Sequence, residues 1–144
     1  MLEQLLEKYP SEVKLIFKNF PLRMHKYSKQ AAIAAFAARR QGKFWEFHDR
    51  LVANSDRLSD VKVVEIALEL GLDLEQFEKD TNDLRIVARI NQDIRLGARA
   101  GVRGTPTLFV NGKVSRARTL DALQAAVNKE LEIARKSVVV SGEQ

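Results

Sequence analysis

The 144-residue sequence contains no cysteine. That excludes a disulfide framework, a thiolate nucleophile and any thiolate-ligated metal from this chain. Histidine is almost as scarce: His25 and His48 are the only two, and they lack the spacing of a paired ligand site. No metal site and no bound cofactor are therefore expected. No run approaches the roughly 18 apolar residues that a membrane span needs. The opening stretch, MLEQLLEKYP, places acids early and has no long apolar core, so it does not read as an export signal. Repeats, linkers and low-complexity segments are absent too. The net charge of +5 is spread along the chain, with Arg39-Arg40 and Arg116/Arg118 as the densest basic spots. These read as solvated faces. The exposed aromatics that a nucleic-acid surface would interleave with them are missing, so neither nucleic acid nor membrane is an expected partner.

What is present has the balance of one soluble domain: 45 % hydrophobic and 30 % charged residues, long enough to bury a sizeable core. Leu2, Leu5, Leu6 and Tyr9 recur at helical spacing and predict a helix over 2–9, closed by Pro10. Val13 to Phe20 alternates apolar and basic residues, is rich in β-formers, and predicts a strand that Pro21 closes. The alanine-rich stretch within 26–41 predicts a helix able to approach its neighbours closely, with Gly42 at its end. Phe44, Phe47, His48 and Leu51 mark the next helical face. Ser59 caps a helix that runs to Gly71, and Asp73 with Gln76 resembles a capping box. Residues 84–100 predict a longer helix with Val87, Ile90, Ile94 and Ala98 on one stripe and an end loosened by Gly97 and Gly101. Thr107–Val110 is a short β-rich run, and Asn111-Gly112 is a strong hairpin signal toward a second strand at 113–115. Thr119 caps a final helix. The tail, Ser137-Val-Val-Val-Ser141, has the composition of one more strand.

Few residues stand out as chemical candidates. His25 is expected to be a hydrogen-bonding or capping histidine, and His48 a core-edge one beside Asp49. Phe44, Trp45 and Phe47 read as core of a helical unit and not as a ligand box. Glu46 and Asp49 are placed to pair with Lys43 or Arg50 at the surface, which contributes little.

Three segments in combination resemble the DsbA-like branch of the thioredoxin superfamily: VKLIFKNFPLRMHKYSKQAAIAA, AARRQGKFWEFHDRL and AGVRGTPTLFVNGK. The likeness covers about residues 2–135. It implies an α/β, thioredoxin-like fold with an inserted helical domain. Residues 1–25 and 101–144 would form an incomplete thioredoxin-like core, and 26–100 the inserted subdomain. It also implies a cis-proline loop, with Pro106 as the cis-proline and Gly104, Thr105 and Pro106 as the substrate-binding residues. In relatives, the residue before that proline lends backbone hydrogen bonds to an extended or unfolded polypeptide. Relatives carry out dithiol exchange with a Cys-x-x-Cys pair at a helix N-terminus. That pair and the first strand lie upstream of the segment matching MLEQLLEKYP, so the resemblance implies an N-terminally truncated sheet and no catalytic residue in this chain. Relatives usually work in the periplasm or elsewhere outside the cytoplasm.

In relatives the first strand is central, between the strand matching 13–20 and the one matching 107–110. Its absence predicts a gap that something must fill, because buried unpaired backbone groups are costly. Three fillings are open: the 138–140 tail, strand exchange that makes a homo-oligomer, or a shift of 13–20 directly against 107–110. Three functions compete. The chain is a cysteine-free disulfide oxidoreductase-like domain, inactive in dithiol exchange as it stands. Alternatively it is a non-catalytic peptide-binding or interaction module. The third is a non-redox relative such as a kappa-class glutathione transferase, whose glutathione contacts would lie in the upstream strand.

Overall fold

A computed structural model describes residues 1–22 and 24–141, with side chains through residue 136. Seven helices and one hairpin follow in the order α1 (Leu2–Lys8), α2 (Ser28–Arg40), α3 (Phe44–Ala53), α4 (Asp60–Glu69), α5 (Leu74–Thr81), α6 (Leu84–Arg99), β1 (Leu108–Val110), β2 (Lys113–Ser115) and α7 (Leu120–Ser141). The chain divides into two compact units, Met1–Phe17 with Thr105–Gln144, and Lys18–Gly104. The described sheet is α/β in its smallest form: two antiparallel strands.

The first unit is built on β1, β2, α1 and α7. Asn111 and Gly112 both have positive φ, 45° and 78°. That is the geometry of a type I′ turn, whose twist matches the flanking strands and which asparagine and glycine adopt most readily. It sets the register Leu108–Ser115, Phe109–Val114 and Val110–Lys113. Strand alternation then sends Leu108 and Val110 to one face. There they pack with Val13, Leu120 and Leu131 around buried Leu5, Tyr9, Leu123 and Val127. The Tyr9 hydroxyl donates to Asn128 Oδ1 at 2.7 Å, which satisfies the polar end of a buried ring.

The second unit is all helical. Its core gathers the alanines and Phe36 of α2 with Phe47, Leu51, Ile66, Ala67, Phe77, Ile86 and Ile90. Ala37 and Ala38 are fully buried. Side chains this small leave α2 free to pack against α3, α4, α5 and α6. Phe47 and Phe77 place their ring centroids 5.5 Å apart at the centre.

Helix starts follow the sequence signals. Ser59 Oγ accepts from Lys62 N–H at 3.1 Å, Asp73 Oδ1 from Gln76 N–H at 2.9 Å, and Thr119 Oγ1 from Ala122 N–H at 3.3 Å. The expected capping box at Asp73 is completed differently. Gln76 turns its amide to Asp80, and the Asp73 N–H donates to Gln41 Oε1 at 2.9 Å. Asp83 caps α6 by accepting from Arg85 N–H at 2.8 Å.

Two expected strands are not formed. Residues 13–20 carry no strand, because β1 pairs with β2 alone among the described residues and an extended segment without a ladder partner is not a strand. The tail is not a strand either: α7 continues through Ser141. The end of α6 also differs from expectation. Gly101 takes φ 78° and closes the helix, donating to Ala98 O at 3.1 Å while Val102 N–H donates to Gly97 O at 2.9 Å. This pair of bonds is a Schellman closure, so the end is fastened and not loosened.

Candidate functional site

The expected substrate loop leads directly into β1. The Thr105–Pro106 peptide bond is cis. Thr105 and Pro106 are exposed and Gly104 is half-buried. In an antiparallel pair closed by a two-residue turn, the residues flanking the turn exchange both ladder bonds and the next pair does not. Val110–Lys113 and Leu108–Ser115 are therefore the bonded pairs. Phe109, between them, directs its N–H and C=O to the opposite edge. No strand lies along that edge among the described residues. The loop thus opens onto three residues of strand with one side of the backbone unused by the hairpin.

The hairpin is held from its other side. Lys113 Nζ donates to Glu130 Oε1 at 2.6 Å, tying β2 to α7. This bond holds the Glu130 carboxyl below the usual carboxylate range. Lys8 Nζ donates to Gln124 Oε1 at 2.7 Å, tying α1 to α7. The free edge of β1 is therefore presented on a braced element.

The remaining candidates belong to the helical unit, with His25 exposed. His25 donates its backbone N–H to Leu22 O, and its carbonyl accepts from Ser28 Oγ at 2.9 Å. His48 stacks on Phe44 with centroids 6.1 Å apart and lies 3.1 Å from Asp49 Oδ1. Phe47 is buried, Phe44 packs against the core, and Trp45 is about half exposed beside His48. Lys43 pairs with Glu46 and Arg50 with Glu69, at the surface. In the sequence, Phe109 is only part of a β-rich run. Its special position follows from the hairpin register, which the Asn111-Gly112 signal contains once the alternation of ladder bonds is applied.

The hairpin and the helix-rich unit are those of a thioredoxin-like domain. The chain belongs to the DSBA-like thioredoxin domain family, whose model matches residues 1–128. Its structure is similar to a thioredoxin-like oxidoreductase from Silicibacter pomeroyi DSS-3, with a TM-score of 0.77 and 32 % identity over 91 % of this chain and 75 % of that one. It is similar as well to the thiol-disulfide exchange protein alpha-DsbA2 from Wolbachia pipientis, with a TM-score of 0.79 and 26 % identity over 89 % of this chain and 70 % of that one. Among curated proteins it is 40 % identical over 134 residues to Na(+)/H(+) antiporter NhaA 3 of Salinispora tropica, covering 92 % of this chain and 20 % of the antiporter. The chain spans about a fifth of the length of the curated relatives it matches. No described helix is long and apolar enough to cross a membrane.

Proposed function

We propose that this chain is a polypeptide-binding domain of the DsbA type that performs no dithiol exchange by itself. Thiol-disulfide exchange requires a thiolate to attack a disulfide sulfur, and the chain has no sulfur nucleophile. The residues that match the family's recognition loop are present: Gly104, Thr105 and Pro106 leading into β1. The observation that carries the reading is the unused edge of β1 at Phe109. An extended polypeptide laid along it would gain main-chain hydrogen bonds by strand addition, with little demand on side-chain sequence. Extended or unfolded polypeptides are therefore the proposed partners, and an extracytoplasmic setting is the one family membership favours.

Titration with a fluorescent, reduced and alkylated unfolded protein tests this. Phe109→Pro removes the central N–H while leaving the hairpin's own bonded pairs in place. Saturable binding to the parent chain and its loss in Phe109→Pro, with the helical circular dichroism unchanged, is the expected result. Undiminished binding by that variant would refute the site. In a dithiothreitol-driven insulin reduction assay the chain should not raise the rate above the uncatalysed reaction, and any clear acceleration would refute the redox-silent reading.

The same edge favours a second reading, in which another copy of the chain supplies the added strand and makes a homo-oligomer. Sedimentation across a concentration series separates the two: a concentration-dependent dimer abolished by Phe109→Pro supports self-pairing, and a monomer throughout leaves the foreign polypeptide as the occupant.

A further inference from the structure

A cleft of about 330 Å³ lies in the helical unit, lined by Phe36, Arg39, Arg40, Arg85, Ile86 and Arg89. Its floor is apolar, since Phe36 and Ile86 are both buried. Its walls are four arginines, two from the last turn of α2 and two from one face of α6. Arg85 and Arg89 are four residues apart on a helix, an arrangement in which like charges repel and cost stability. The positive end of the α6 dipole adds to the same potential.

Aspartates engage part of this charge. Arg40 is held by Asp80 and Asp83, and Arg85 by Asp83 at 2.8 Å. Arg40 and Arg85, which share Asp83, are close enough that each opposes the other's charge. The other two arginines are less committed. Arg89 comes only within 3.7 Å of Asp93, beyond hydrogen-bond reach. Arg39 has no carboxylate partner among the described residues, and its guanidinium lies over the Phe36 ring, 5.6 Å from the centroid. That contact parks an available cation directly above the apolar floor.

We infer that this cleft binds a small amphipathic oxyanion, a carboxylate or phosphate carried on a flat apolar body. Arg39 and Arg89 would grip the oxygens, the body would rest on Phe36 and Ile86, and Arg40 and Arg85, fixed by Asp80 and Asp83, would supply the surrounding field. Arginine suits this task because its planar fork pairs with two oxygens at once. The volume is at the small end for ligand sites, which fits a single-ring anion.

The test is titration of the whole chain with phenyl phosphate, benzoate and inorganic phosphate, followed by two-dimensional amide and arginine-side-chain NMR. Saturable shifts at Arg39, Ile86 and Arg89, stronger for the ring-bearing anions than for inorganic phosphate, are expected. Arg39→Gln, which breaks no ion pair, should weaken binding about tenfold or more without lowering the melting temperature. Arg89→Gln should also weaken binding about tenfold or more, with some loss of stability because Arg89 lies beside buried Asp93, and serves as the second variant. Absence of saturable binding, equal affinity for inorganic phosphate and phenyl phosphate, or undiminished binding by both variants would overturn the assignment.

Discussion

Asp93 is 1 % exposed, one of three buried polar residues, with Asn19 and Asp80, among the described residues of the helical unit. It is tolerated because its carboxylate accepts from the Asn19 N–H and from Lys18 Nζ, each at 3.2 Å. Removing it strands a buried backbone donor, so Asp93→Ala should cost about 1–3 kcal/mol in chemical denaturation. A variant as stable as the parent would show that water satisfies Asn19 instead. Asp83 contributes to the pH response. Its bonds to Arg85 first, and to Arg40, hold its carboxyl well below the usual carboxylate range. A lowered native pKa contributes stability that is fully present above the unfolded value of about 4 and is lost as pH falls below it. Melting temperatures measured from pH 6 down to pH 2 should therefore fall less steeply below pH 4 for Asp83→Asn than for the parent chain; parallel curves would contradict this. Ser59, Asp73 and Thr119 were legible as caps because each precedes a helical period. Asp83, directly before the helix over 84–100, carries the same signal. Asp93 does not, because a polar residue within a helical stretch looks solvated until its partners from other elements are placed.

At the scale of elements, α6 shows where local preference and packing disagree. Gly97 lies within the helix, where alanine would ordinarily be favoured by about 1 kcal/mol. A Cβ there would come within 2.8 Å of the Phe20 ring. Gly97→Ala should therefore lower the melting temperature despite its better propensity. A rise would mean that Phe20 moves aside without cost. The helices were readable from periodicity, since an α-helix satisfies its backbone within itself. The α6 stripe was read slightly off, because Ile86 is buried and Ala98 exposed. The hairpin was readable because Asn111-Gly112 encodes both turn and register. The segment 13–20 was not, because a strand is a property of two segments and its alternation says nothing about whether a partner is alongside. The tail valines misled for a related reason: β-branched composition is a weak preference, and α7 extends through them.

At the scale of the whole molecule, the chain belongs to the DSBA-like thioredoxin domain family and contains no cysteine. Family membership was legible from three segments because the loop ahead of Thr107–Val110 and the aromatic helix after Gly42 are specific in combination, while either alone is weak evidence. The cleft among Phe36, Arg39 and Arg89 was not, since its walls come from helices about 45 residues apart in sequence and Arg39-Arg40 alone resembles an ordinary solvated face. The claim on which the functional account rests is that β1 offers its outer edge to an extended chain. Amide hydrogen exchange at single-residue resolution tests it most directly. Leu108 and Val110 should be protected in the free protein and Phe109 should exchange quickly, and saturation with an unfolded polypeptide should slow Phe109 selectively. An unchanged Phe109 exchange rate in the saturated complex would contradict the account.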